Sequence, residues 1–125
     1  MKRILILIGL MLIISGCSKA EVKLLDIDAF ASLIEDEDVF LLNTHTPYEG
    51  EIDGTDAVIE DWENIGLNIN KLPDDKNKPI AVYCRSGRMS AVAAEQLIDL
   101  GYKNVYDLKN GMIGWKESGR EIVEK

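Results

Sequence analysis

Two unbroken apolar runs, Val39-Phe40-Leu41-Leu42 and Ile80-Ala81-Val82-Tyr83, constrain the fold of this 125-residue chain more than any other feature. Neither alternates with polar residues, as a strand with one wet face would, and each is short for a helix. Such runs are expected for strands covered on both faces, as in a parallel sheet flanked by helices. Helical patterns stand between and beside them. Asp26 or Asp28 can cap a helix whose apolar face is Phe30, Leu33 and Ile34. Trp62 to Leu72 should contain a short helix, and Ser90 to Leu100 a longer one ended by Gly101. Met112 to Ser118 predicts a last helix, stopped by Gly119. Val22 to Leu25, Ala57 to Ile59 and Lys103 to Leu108 supply further short strands. This alternation predicts one α/β domain over residues 22–125, with a mainly parallel central sheet flanked by helices. Trp62 and Trp115 are read as packing residues, and Glu35-Asp36-Glu37-Asp38 as a solvated turn with no metal.

The second run ends at Cys84, and Arg85-Ser86-Gly87-Arg88-Met89 follows before the helix. A lone cysteine after a strand is ordinarily a small buried hydrophobe. A tight loop leading into a helix changes its surroundings, because loop N–H groups and the helix N-terminus converge to favour negative charge. Two guanidiniums nearby add to that field, and a thiol held there is stabilised as thiolate. The pattern predicts a nucleophilic Cys84 facing an anionic substrate.

Charge and cysteine count exclude several classes. The formal net charge of -8 gives no basic surface for nucleic acid. Cys17 and Cys84 are the two cysteines, too few for a zinc ribbon and not spaced as a C-x-x-C dithiol. His45 is the only histidine, so a multi-histidine metal site cannot form, and no cofactor is expected.

The first residues carry a different signal. Met1-Lys2-Arg3 is basic, Ile4 to Ile14 is nearly all apolar, and Ser15-Gly16 supplies small residues. That order reads as a secretory signal peptide over residues 1–16, too short for a comfortable transmembrane helix. Ile14-Ser15-Gly16-Cys17 resembles the bacterial lipobox, which implies cleavage before Cys17 and acylation of its thiol. Residues 17–21 would then be a short tether, and the lipid on Cys17 would anchor the chain to a membrane outside the cytoplasm.

Tyr83-Cys84-Arg85-Ser86-Gly87-Arg88-Met89-Ser90-Ala91 resembles the active-site loop of the single-domain rhodaneses, a sulfurtransferase family. The likeness extends from about Asp26 to Trp115. Leu41 to Thr55 is similar to the family's first signature, with Asn43 in place of Asp, His45 in place of Arg and Glu51 in place of His. Leu108-Lys109-Asn110-Gly111-Met112-Ile113-Gly114-Trp115 resembles its closing Leu-x-Gly-Gly-x-x-x-Trp. In the loop the second arginine, Arg88, stands one position earlier than in many members, with Met89 following it.

The resemblance implies sulfur transfer. Cys84 would take sulfane sulfur from an anionic donor such as thiosulfate or polysulfide, and pass it to an external thiol, or to cyanide. Arg85, Ser86, Gly87, Arg88 and Met89 would form the substrate-binding loop, with Arg85 or Arg88 pointing inward and His45 at the pocket wall. A monomer is expected. One alternative is a non-catalytic rhodanese-like binding or regulatory module. Another is a phosphatase or arsenate reductase loop, which needs an arginine where this chain has Ser90.

Overall fold

A computed structural model describes residues 19–125. The lipobox, the proposed cleavage point and Cys17 lie outside the described residues. Five strands form one sheet: β1 (Lys23–Leu25), β2 (Phe40–Asn43), β3 (Ala57–Val58), β4 (Ile80–Tyr83) and β5 (Val105–Leu108). Their spatial order is β1-β5-β4-β2-β3, and every pairing between them is parallel. The two apolar runs are thus neighbours, with Phe40 to Asn43 in register with Ile80 to Tyr83.

Both faces of the sheet are covered, which is why those runs do not alternate. On one face Leu42, Ile80, Val82 and Val105 pack against Ala93, Ala94, Leu97 and Ile98 of helix α2 (Arg88–Asp99). A 3-10 helix, Ile65–Lys71, closes the same layer. On the other face Leu41, Ala81, Tyr83 and Leu108 meet Phe30 of α1 (Ile27–Ile34). Met112 and Trp115 of α3 (Gly111–Glu117) complete that layer. Phe30 is fully buried, with its ring edge-on to Trp115 at 6.4 Å. Burial of a side chain of this kind contributes about 1.5–3 kcal/mol.

Local signals account for most boundaries. Asp26 caps α1, accepting from the Ala29 N–H at 2.8 Å, while Asp28 lies in the first turn and pairs with Arg120. Two elements differ from expectation. The helix foreseen at Trp62 to Leu72 is 3-10 rather than α, and is interrupted at Asn68. Gln96 of α2 holds its start, accepting from the Ile65 N–H and donating to the Trp62 carbonyl. Helix α2 begins at Arg88, two residues before Ser90, because Gly87 takes a left-handed φ of 104° and turns the chain at once. Arg88 and Met89 therefore belong to the first helical turn. At the N-terminal edge, Lys19 pairs with Asp99 at 2.6 Å, and Ala20 and Val22 rest on the α2-side core.

Candidate active site

Cys84 follows β4 directly, at the C-terminal edge of the sheet, where α2 and α3 both begin. Its Sγ accepts a hydrogen bond from the Gly87 N–H at 3.0 Å. The loop carbonyls point the other way: Met112 N–H donates to the Cys84 carbonyl at 2.9 Å, and Ile113 N–H to that of Arg85 at 3.0 Å. With those carbonyls held by the first turn of α3, the Gly87 N–H is the loop dipole that faces the sulfur. This approach requires glycine at position 111, which also has a positive φ of 52°. A Cβ there would overlap backbone atoms of Cys84 and Arg85. The Asn110-Gly111 turn thus has a role at the site that its sequence did not reveal.

The sulfur opens into a cavity of about 170 Å3 lined by His45, Cys84, Arg85, Ser86, Arg88 and Met89. The structure brings together the residues that the sequence singled out around Cys84. Arg85 and Arg88 both reach the cavity from the solvent side, and the Arg85 Nε lies 3.5 Å from Glu49 Oε2. Glu49 also stands 3.2 Å from the His45 Nε2, bridging the wall and the mouth. That contact is not aligned for a hydrogen bond, so both buried His45 ring nitrogens are without one in this geometry.

The departures in the first signature have physical explanations. Asn43 is fully buried, accepts from the His45 N–H at 2.9 Å and donates to the Gly50 carbonyl at 3.1 Å. An amide does both, whereas an ionised carboxylate cannot donate. Glu51 lies away from the pocket, joined to the C-terminal segment by an antiparallel bridge to Val123 and a 3.9 Å approach to Lys125.

Two residues beneath the loop escaped the sequence reading. Ser90, fully buried in the first turn of α2, has its Oγ 3.4 Å from Cys84 Sγ. Asp107 is 3% exposed on β5, in register with Val82 and therefore on the α2 face. The available signal was a carboxylate inside the apolar strand Val105-Tyr106-Asp107-Leu108. Burial pushes its carboxyl up to about 6, opposed by hydrogen bonding from Ser90 and from the Leu108 backbone.

That shift makes the folded state bind a proton more tightly than the unfolded state. The burial penalty is absent below about pH 4, where both states are protonated, and grows as pH rises through about 6. Asp107→Asn is therefore expected to gain about 2–3 kcal/mol on the wild type between pH 4 and pH 7. Parallel urea titrations of the two proteins at each pH would check this. A difference independent of pH would sink it.

Residues 26–118 match the Rhodanese-like domain family, and residues 1–18 match the prokaryotic membrane lipoprotein lipid attachment site. A sulfurtransferase of Allochromatium vinosum is 35% identical over 73% of this chain and 84% of its own length. A tRNA uridine(34) hydroxylase of Yersinia pestis is 28% identical over 75% of this chain, but the match spans only 28% of that longer protein. Among solved structures, the polysulfide-sulfur transferase homodimer of Wolinella succinogenes superposes with a TM-score of 0.68 at 26% identity. That superposition covers 86% of this chain and 82% of the other. The chain belongs to the rhodanese-like family, as a sulfurtransferase homologue with a lipoprotein lipid attachment site at its N-terminus.

Proposed function

We propose that the protein is a lipid-anchored sulfurtransferase that carries sulfane sulfur as a persulfide on Cys84. The observation that carries this reading is the Cys84 Sγ, held by the Gly87 N–H and facing a small cavity with two guanidiniums at its rim. The thiolate attacks the outer sulfur of an anionic donor, thiosulfate or polysulfide. The donor's S–S bond breaks, its electron pair leaves with sulfite or the shortened polysulfide, and Cys84 becomes Cys–S–S⁻. An external thiol then attacks the terminal sulfur and regenerates the Cys84 thiolate, giving a two-step ping-pong cycle. Loop N–H groups stabilise the negative sulfur in both steps, as preorganised dipoles. Arg85 and Arg88 attract and orient the donor's negative charge, and His45 forms the inner wall.

The match to a lipid attachment site supports cleavage before Cys17, acylation of that residue and a location outside the cytoplasm. Residues 17–21 would be the tether and 22–125 the functional domain. The experiment is an intact mass of the full chain in detergent, after incubation with thiosulfate and, separately, with polysulfide. A gain of about 32 Da (one sulfur), lost to cyanide with release of thiocyanate, is expected with at least one donor. No sulfur from either donor would leave a binding module as the better reading.

A further inference from the structure

We propose that Glu49 is a charge filter for the site: its carboxylate masks the Arg85 guanidinium and shifts preference toward sulfane donors with one negative charge rather than two. The inference rests on the sulfurtransferase reading and names the donor class for that same site. One atom carries it. Glu49 Oε2 lies 3.5 Å from Arg85 Nε and 3.2 Å from His45 Nε2, and both residues line the cavity into which Cys84 opens. A carboxylate oxygen between two nitrogens of a cavity wall stands where an oxygen of an anionic ligand would sit. Both contacts are loose. The Arg85 distance is long for a hydrogen bond, and His45 Nε2 has no hydrogen-bond partner although the imidazole is buried. The Glu49 and Arg85 side chains are each about half-exposed, so their pairing adds little to stability. Its consequence is electrostatic.

The charges at the rim decide which donor fits. Arg85 and Arg88 bring two positive charges to the cavity, and Glu49 offsets one of them. Among the described residues Arg88 makes no ion pair, so one guanidinium is left to meet a donor. A nearby carboxylate, Glu60, accepts instead from the Tyr48 N–H at 3.0 Å, which leaves Glu49 to face the two wall nitrogens. The chain as a whole adds no compensation, since its net charge is -8. Thiosulfate carries two negative charges. Methanethiosulfonate, in which a methyl group replaces one oxygen, carries one. Both react alike: the Cys84 thiolate attacks the outer sulfur, the S–S bond breaks, and its electron pair leaves with sulfite or methanesulfinate. Cys84 holds the persulfide in each case. A fixed negative charge at the mouth changes the logarithm of the rate in proportion to donor charge. On that scale it penalises thiosulfate about twice as heavily.

The test compares kcat/KM for these two donors, with cyanide as acceptor, in the wild-type full chain in detergent and in Glu49→Gln. That change keeps the shape of the side chain and removes its charge. It should raise kcat/KM for thiosulfate at least about fivefold and for methanethiosulfonate about twofold, chiefly through KM. A second measurement needs no sulfur transfer. Cys84 is alkylated at one pH by anionic iodoacetate and by neutral iodoacetamide, each read on the Cys84 peptide. Both reagents meet the same thiolate population, so their rate ratio reads the charge at the cavity. Glu49→Gln should raise the iodoacetate-to-iodoacetamide ratio at least about twofold. In an Arg85→Gln background the same change should raise it far less, because no guanidinium is left to unmask. A donor preference unchanged by Glu49→Gln overturns the proposal, as does an unchanged alkylation ratio. An equal rise with and without Arg85 overturns it as well. Absence of transfer from either donor, in both proteins, would sink the proposed activity, and the alkylation ratio would then decide this inference alone.

Discussion

Cys84→Ser is expected to leave no detectable sulfur loading, a loss of at least about a thousandfold in transfer rate. The replacement is nearly isosteric, and its Oγ can still accept from the Gly87 N–H and pair with Ser90, so the loop has no reason to rearrange. What disappears is the chemistry. An alcohol is not ionised near neutral pH, and oxygen is a far poorer nucleophile than sulfur toward sulfane sulfur. Stability should stay within about 1 kcal/mol of the wild type, because the buried contacts are retained. Mass gain and thiocyanate release, with a urea titration alongside, would check both halves. Sulfur taken up by the variant at the wild-type rate would move the carrier away from Cys84. A large loss of stability would mean that the sulfur is chiefly a packing atom.

Gly111→Ala should damage stability and transfer together. A methyl group at this position meets the backbone of Cys84 and Arg85 at distances that real Cβ atoms do not adopt, and neither backbone is a flexible side chain that could swing aside. The positive φ of 52° adds a smaller conformational cost. Relief requires α3 to withdraw, which lengthens or breaks the bonds from Met112 and Ile113 to the loop carbonyls. We expect a loss of about 2–4 kcal/mol, and a fall in transfer of at least about tenfold as the loop dipoles lose their aim. Urea unfolding and the cyanide assay on the same preparation would measure the two effects. If transfer persisted while stability fell, the α3 clamp would be holding the fold rather than aiming the loop.

Much of this protein was determined by its sequence. The apolar runs at 39–42 and 80–83 required strands covered on both faces, and the structure makes them neighbouring strands in a covered, all-parallel sheet. Asp26 announced its helix through a side chain suited to an N-cap, and Gly101 and Gly119 marked helix ends, because these are local effects within a few residues. The loop around Cys84 was legible for the same reason, since Cys84, Gly87 and Arg88 lie within one short stretch of the chain. Tertiary structure decided what depends on contacts between distant segments. Gly87 sets the start of α2 two residues early through a backbone angle, and Gln96 holds a 3-10 turn some thirty residues away. Glu51 reads locally as a site substitution, yet is joined to Val123 by a backbone bridge across more than seventy residues. Asp107 lies 23 positions after Cys84, and only parallel pairing of β4 with β5 brings it beneath Ser90. Periodicity and local propensity carry no information about such pairings, because their energy arises only when the strands and helices meet.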